Sequence, residues 1–319
     1  MNMKIINFFS RTLVNVKWIY IVMLALLFIN RIQAQTPTDG FTMSKGEICT
    51  VLDRGGSTWT NYWEGKRYRD NPNIGRFSSL MWMPMLGYGL TSKLNLFAGL
   101  PHITTNSTGG FMTGMRGWQD LQLEVKYRLV KKQNERGIFY TFFTAGVSAP
   151  ATDYVPDHLP FSIGLGTKNL TGRTIIHYEH KKGFYYTIQT GYTLKSNITV
   201  ARQTYYNSRQ VMSNEMPVPN IWDGTTRLGF KKKSFRADVH YNWMISTSGS
   251  DMRLYDMPYP FHRMNATSIG ITGLYWIPLL DGLAIHGNLD QTISGRNMGK
   301  SFMWSTGFQY VFNPFKNKK

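Results

Sequence analysis

The sequence predicts an all-β fold, a single up-and-down antiparallel transmembrane β-barrel of about 12 strands behind a cleaved signal peptide. Three observations lead there. The N-terminus has the layout of an export signal, and no later segment is apolar enough to cross a membrane as a helix. Segment after segment alternates polar and apolar residues, which gives a sheet one wet face and one greasy face. The connections alternate between short turns and long polar loops, the asymmetry of a barrel set in an outer membrane.

The N-terminal argument starts with Lys4, Arg11 and Lys17, which precede the apolar run Ile19 to Ile29; Ala34 then follows just before a polar stretch. A basic region, a short apolar run and a small residue before the cut are the parts of a secretory signal. Residues 1–34 therefore read as a signal peptide and 35–319 as one outer-membrane barrel domain. The competing reading is a retained anchor, because Ile32 fits poorly where a small residue is usual. Beyond this point no run approaches the roughly 20 apolar residues of a spanning helix. Mean hydropathy is −0.29, while aromatics make up 14% of the chain. Modest hydropathy suits a barrel, since half of each strand faces water. The single cysteine, Cys49, excludes an intramolecular disulfide framework.

Strands are expected at 44–52, 75–88, 92–102, 117–130, 136–148, 171–181, 184–195, 223–231, 234–246, 266–277, 282–292 and 301–312. The segment 117–130 is the clearest. Asp120, Gln122, Glu124, Lys126 and Arg128 share one face, and Leu121, Leu123, Val125, Tyr127 and Leu129 share the other. In 171–181 the polar face carries Arg173, His177 and Glu179. In 184–195, Phe184, Tyr186, Ile188, Tyr192 and Leu194 oppose Tyr185, Thr187, Gln189, Thr193 and Lys195. In 234–246, Arg236, Asp238, His240 and Asn242 oppose Phe235, Ala237, Val239, Tyr241, Trp243 and Ile245. The segment 282–292 sets His286, Asn288 and Asp290 against Leu283, Ile285 and Leu289, and 301–312 places Phe302, Trp304, Phe308, Tyr310 and Phe312 on one side.

Short turns fall near 91–92, 131–136, 181–183, 231–233 and 278–282, and long loops at 53–74, 103–116, 149–170, 196–222 and 247–265. The greasy face could meet a soluble core or a bilayer. Trp82, Trp118, Trp243, Trp276 and Trp304 lie within or beside strands, where interfacial girdles need them. The last strand ends on Phe312, similar to the signal read by barrel-insertion machinery, although a basic tail follows it. An Arg or Lys facing lipid at mid-depth costs about 2–4 kcal/mol. Lys126, Arg128, Arg173, Arg227 and Arg236 are therefore expected to point into a polar lumen or to sit near a barrel end.

The formal net charge is +18, and four of the positive charges precede Gln35. The remaining Lys and Arg are spread through turns and strands, without a basic helix or a stacking module, which argues against nucleic acid. Attraction to phosphate-bearing lipids accounts for the surplus. The expected partners are outer-membrane lipids including lipopolysaccharide, the barrel-insertion machinery and a small solute of unknown identity.

The run Met85–Ile103, the Gly-rich stretch Gly109–Gly117 and the strand after it resemble the outer-membrane barrel family named for the meta-pathway of phenol degradation. That family has a YGLT turn, a strand ending in LP, a glycine-rich loop and a GxxDLxLxxKYRL strand. Here these are Tyr88–Thr91, Leu100–Pro101, Gly109–Gly114 and Gly117–Leu129. The match covers about 45 residues, and the rest agrees in strand rhythm. The resemblance implies a barrel in the cell outer membrane that admits small, hydrophobic or amphipathic solutes.

The candidate lumen-lining set is Asp120, Glu124, Lys126, Arg128, Arg173, His177, Glu179, Arg236, Asp238, His240, His286 and Asp290. His177, His240 and His286 each lie near an acid in the sequence pattern (Glu179, Asp238 and Asp290). A metal site or a lumen hydrolase is one reading; tolerated histidines in a wet lumen is the plainer one. No Gly-x-Ser-x-Gly elbow or phosphate-cradling loop occurs, so neither an enzyme nor a cofactor is expected. The mixed charges could line an open constriction or a network that plugs the lumen. The alternative to a channel is thus a plugged structural or surface-interaction barrel. Thr104–Met115 is the candidate for an inward constriction, against a plain surface loop.

Overall fold

The computed structural model describes residues 36–253 and 257–315, so the expected signal peptide lies outside the described residues. Twelve strands close into one antiparallel barrel. In chain order they are β1 (Ile48–Trp59), β2 (Phe77–Gly89), β3 (Leu94–Gly99), β4 (Asp120–Gln133), β5 (Gly137–Pro150) and β6 (Asn169–His180). There follow β7 (Phe184–Lys195), β8 (Ile221–Lys232), β9 (Phe235–Ser246), β10 (Asn265–Trp276), β11 (Leu283–Arg296) and β12 (Phe302–Phe312). Each strand pairs with the next in sequence, and β12 returns to β1 with Ile48 opposite Phe312. Closure leaves no unpaired edge, as lipid requires of any sheet that spans it.

The alternation read from the sequence becomes the two surfaces of the wall. Leu121, Leu123, Val125, Tyr127 and Leu129 are exposed on β4, as are Val239 and Tyr241 on β9 and Ile269 and Ile271 on β10. In β4 the residues between them are buried or half-buried. At the short-turn end the exposed row carries Phe139, Phe184, Phe235, Tyr275, Phe308 and Tyr310; at the other end it carries Trp118, Tyr192, Trp222 and Phe302. These are the two aromatic girdles of a membrane barrel.

Three expectations need correction. The strand placed at 44–52 runs instead from Ile48 to Trp59, and the loop placed at 53–74 holds a further hairpin, Asn61–Glu64 with Arg67–Asp70. Gly55 and Gly56, which fall in the loop placed at 53–74, serve close strand approach: a Cβ at Gly56 would lie 2.9 Å from the Ser79 carbonyl oxygen. The strand placed at 92–102 breaks at Leu100–Pro101 and resumes as His102–Ser107, which pairs with the first half of β2. Pro84 on β2 lies beside the break, and the Leu100 N–H donates to its carbonyl at 3.2 Å. Neither proline can donate to the ladder, so pairing lapses there. The first part of Thr104–Met115 is strand, and Phe111 beyond it is fully exposed, which fits the surface-loop reading of that segment.

The long loops at the opposite end pack on one another. Ile198, Val200, Tyr205, Met216, Val218 and Phe261 bury a small core of their own between the 196–220 and 247–264 connections.

Candidate functional site

Before β1 the chain enters the barrel. Residues 36–43 touch side chains of β3, β4, β6, β7, β8 and β9, and a segment that meets strands so far around a closed ring lies inside it. Lys126 on β4 is its main anchor. The Lys126 ammonium, with no exposed side-chain surface, shares its three N–H bonds among Thr36 O (3.1 Å), Asp39 O (2.6 Å), Asp39 Oδ1 (3.0 Å) and Phe41 O (2.8 Å). A buried ammonium is tolerable only when its donors are satisfied in this way. Asp39 also folds the segment on itself, accepting from the N–H groups of Thr36 (2.8 Å) and Phe41 (3.0 Å).

Phe41 is the second anchor. Its ring meets His177 edge-on at 4.9 Å and Tyr185 at 5.8 Å, with the Lys231 ammonium and the Arg236 guanidinium each 4.8 Å from its centroid. Two cations on one aromatic ring make a cation–π clamp. Gly40, next to it, has no room for a side chain, since a Cβ would lie 2.1 Å from the His177 ring. Met43 closes the segment: its N–H donates to Asn95 Oδ1 at 3.2 Å, and Asn95 Nδ2 donates back to its carbonyl at 3.4 Å. A side-chain amide thus stands in for a strand partner where the segment has none.

Between this segment and the facing strands is a cavity of about 250 Å³, lined among others by Asp53, Met85, Arg227, Arg236, Asp238, His240, Asp290 and Gln309. Its wall is a polar network. Asp238 accepts from Tyr185 Oη (2.7 Å) and Arg227 (3.3 Å) and faces His240 Nδ1 (3.3 Å). Asp290 faces His240 Nε2 at 3.0 Å and accepts from Asn242 at 2.9 Å. Both ring nitrogens of His240 therefore face carboxylates.

All twelve candidate residues are buried or half-buried. The pairings differ from those of the sequence pattern. His177 hydrogen-bonds Thr187 Oγ1 at 2.7 Å, and Glu179 accepts instead from Lys231 at 3.0 Å. His286 pairs with Asp53 across β12, leaving Asp290 to His240. Glu124 and Arg128 lie beside Lys126 in the same inward row, but the partner of Lys126 is Asp39; Arg173 pairs with Asp223 at 2.8 Å. Arg236 is 3.9 Å from Asp39. Asp120, at the long-loop end, accepts from Tyr154 Oη at 2.6 Å, and burial pushes the Tyr154 hydroxyl well above the ordinary tyrosine range. Among the described residues no serine is hydrogen-bonded to His177, His240 or His286, and no His/Cys/Asp/Glu group is arranged to hold a metal. Sequence reasoning missed Asp39, Phe41, Asn95 and Asp53. Only Asp39–Gly40–Phe41, a turn-forming triplet just past the expected cut, could have drawn attention.

The backbone is similar to the crystal structure of an outer membrane channel from Pseudomonas putida F1, at a TM-score of 0.68 and 13% identity over 88% of this chain and 100% of that one. The NanC porin aligns with a TM-score of 0.47 at 10% identity over 82% of this chain and 98% of that one. The translocator domain of the autotransporter NalP from Neisseria meningitidis gives 0.44 at 10% identity, covering 86% of this chain and 90% of the other. No family model matches the sequence, and no curated protein matches it. The fold is that of an outer-membrane β-barrel.

Proposed function

We propose that the chain is an outer-membrane channel for small hydrophobic or amphipathic solutes, held here in an occluded state by residues 36–43. One observation carries this reading. The occluding segment adds no strand to the barrel: it is held by Lys126, by the clamp on Phe41 and by Asn95, so it can leave without unpairing any barrel strand. A lumen filled by a separable segment is a gate, whereas a lumen filled by strand side chains is a core.

The resemblance of Gly117–Leu129 and its neighbours to the meta-pathway family supports the solute class, and the likeness to the Pseudomonas outer membrane channel supports a channel without bearing on its solute. The twelve candidate residues would line the path once the segment withdraws. Lipopolysaccharide outside and the insertion machinery, reading Phe302–Phe312, are the partners this location requires. The test is swelling of liposomes containing the full chain against a graded series of amphipathic solutes. Uptake that falls with solute size supports a channel; no uptake and no planar-bilayer conductance from either the full chain or a folded chain lacking residues 36–43 refutes it.

A second reading has its own observation. The long loops bury a core around Met216 and Phe261, which gives the outer face an ordered platform. Under that reading the barrel stays plugged and the loops bind a partner. Bilayers that remain sealed after residues 36–43 are removed would favour it.

A further inference from the structure

The short-turn end of the barrel is divided by chemistry. Three successive hairpin turns, β4/β5, β6/β7 and β8/β9, present Lys132, Arg136, Lys181, Lys182, Lys232 and Lys233, all exposed, against one exposed acid, Glu135. None of the six forms an ion pair among the described residues. The turns form one continuous rim. The Lys181 N–H donates to the Arg136 carbonyl at 2.9 Å, the Lys231 N–H to Gly183 at 2.8 Å, and the Trp276 N–H to Ser234 at 2.8 Å.

Their height on the barrel identifies what they meet. Lys132 lies opposite Phe139 and Lys232 opposite Phe235, and both aromatics are exposed members of the girdle at this end. A girdle marks the hydrocarbon boundary, so lysines level with it, whose long stems carry the charge outward, and the turn cations beyond it hold their charges at headgroup level. The inward-facing cations of the same turns are otherwise engaged: Lys131 lies over Tyr140, and Lys231 bonds Glu179. The rest of this rim is sparser in charge: Lys45 and Lys93 stand singly, and around the β10/β11 turn and the end of β12 the exposed residues include Leu279, Leu280, Asp281 and Phe315.

We propose that this rim is a docking surface for the phosphate headgroups of anionic phospholipids in the leaflet at the short-turn side. Clustered lysines and arginine beside an aromatic girdle attract anionic lipid over zwitterionic lipid, and the attraction is screened by salt. The surface lies outside the lumen, so it stands whether or not the barrel conducts.

The test uses the full chain reconstituted in phosphatidylcholine bilayers with spin-labelled phosphatidylglycerol or phosphatidylcholine as probe. Electron paramagnetic resonance reads the relative association constant. The expected preference for phosphatidylglycerol is about fivefold at low salt, falling toward one at high salt. Replacing all six cations with Gln should abolish it, while Lys66, Arg67, Arg116 and Arg209→Gln on the long-loop side should leave it intact. Lys181→Gln/Lys182→Gln alone should lower it partially, which covers the case in which the sixfold variant fails to fold. Equal association of the two lipids, a preference that survives the sixfold change, or one lost in the long-loop control would overturn the assignment. So would competition by inorganic phosphate beyond that of chloride at equal ionic strength, which would assign the rim to the free anion.

Discussion

The Lys126 ammonium sits 3.0 Å from Asp39 Oδ1, a contact spanning 87 positions of sequence that ties the chain before β1 to the inner wall of β4. The same ammonium also holds the carbonyls of Thr36, Asp39 and Phe41, so a single side chain fixes the whole occluding turn. Removing one partner of a buried ion pair strands the other, at a cost of about 3–5 kcal/mol. Lys126→Met should therefore release residues 36–43 while the barrel stays closed. Protease cleavage near residue 40 should rise sharply, with the heat-dependent gel shift of a folded barrel unchanged. Continued protection of the segment would show that Lys126 is not its anchor.

Gly40 offers a test from the opposite side of the contact. A Cβ there would lie 2.1 Å from the His177 ring, and His177 is fully buried with no space to retreat. Gly40→Val should displace the segment, as Lys126→Met is expected to, and raise conductance, although no charge changes. Gly40→Val combined with His177→Ala should restore occlusion in part. A Gly40→Val chain with wild-type conductance would mean that the close approach is not required.

The lipid face of β4 predicts a stability effect of known sign. Val125 is exposed midway between the Trp118 and Phe139 girdles, so Val125→Arg should destabilise the barrel by about 2–4 kcal/mol in urea titrations within a bilayer. A change below about 0.5 kcal/mol would indicate that this face does not meet hydrocarbon at mid-depth.

The long loops carry a pH dependence. Hydrogen bonds from Arg296 (2.6 Å each to Oδ1 and Oδ2), opposed by burial and assisted by Asn297, hold the Asp251 carboxyl below its ordinary value. A carboxyl depressed in the folded state stabilises it above the ordinary Asp value of about 3.9, and that contribution is lost as pH falls through the lower folded value. Proteolysis of the 247–264 loop should accelerate as the solution is acidified below that ordinary value, and Asp251→Asn should flatten the profile. A wild-type profile that does not change with pH would remove Asp251 from the account.

Phe261 tests the loop platform separately from the barrel. It is buried with Tyr205 at 5.4 Å and Tyr259 at 5.8 Å. Phe261→Ala should weaken the loop core by about 3–5 kcal/mol, seen as lost amide-exchange protection around 198–218 with barrel protection unchanged. Loss of protection throughout the barrel strands would mean that loops and wall unfold together.

How much of this was legible follows from where periodicity exists. In β4, ten strictly alternating residues left one possible assignment of faces, and Lys126 was expected to point inward or lie near a barrel end before any partner was known. Its partner was not legible, because Asp39 lies in a segment with no period and no regular pairing. The end of β1 was lost for a different reason. Its Gly55–Gly56 pair carries the composition of a turn but serves close strand packing, which only the neighbouring β2 backbone reveals. The histidine pairings failed because sequence offers only neighbours along one strand. Asp53, which pairs with His286, reaches it across the seam where the barrel closes.

The central claim, that residues 36–43 gate the lumen, is tested most directly by planar-bilayer conductance of the full chain against a chain lacking those residues. The account predicts small or infrequent openings for the full chain and a larger, sustained conductance after deletion. Equal conductance from the two, with both folded, would contradict it.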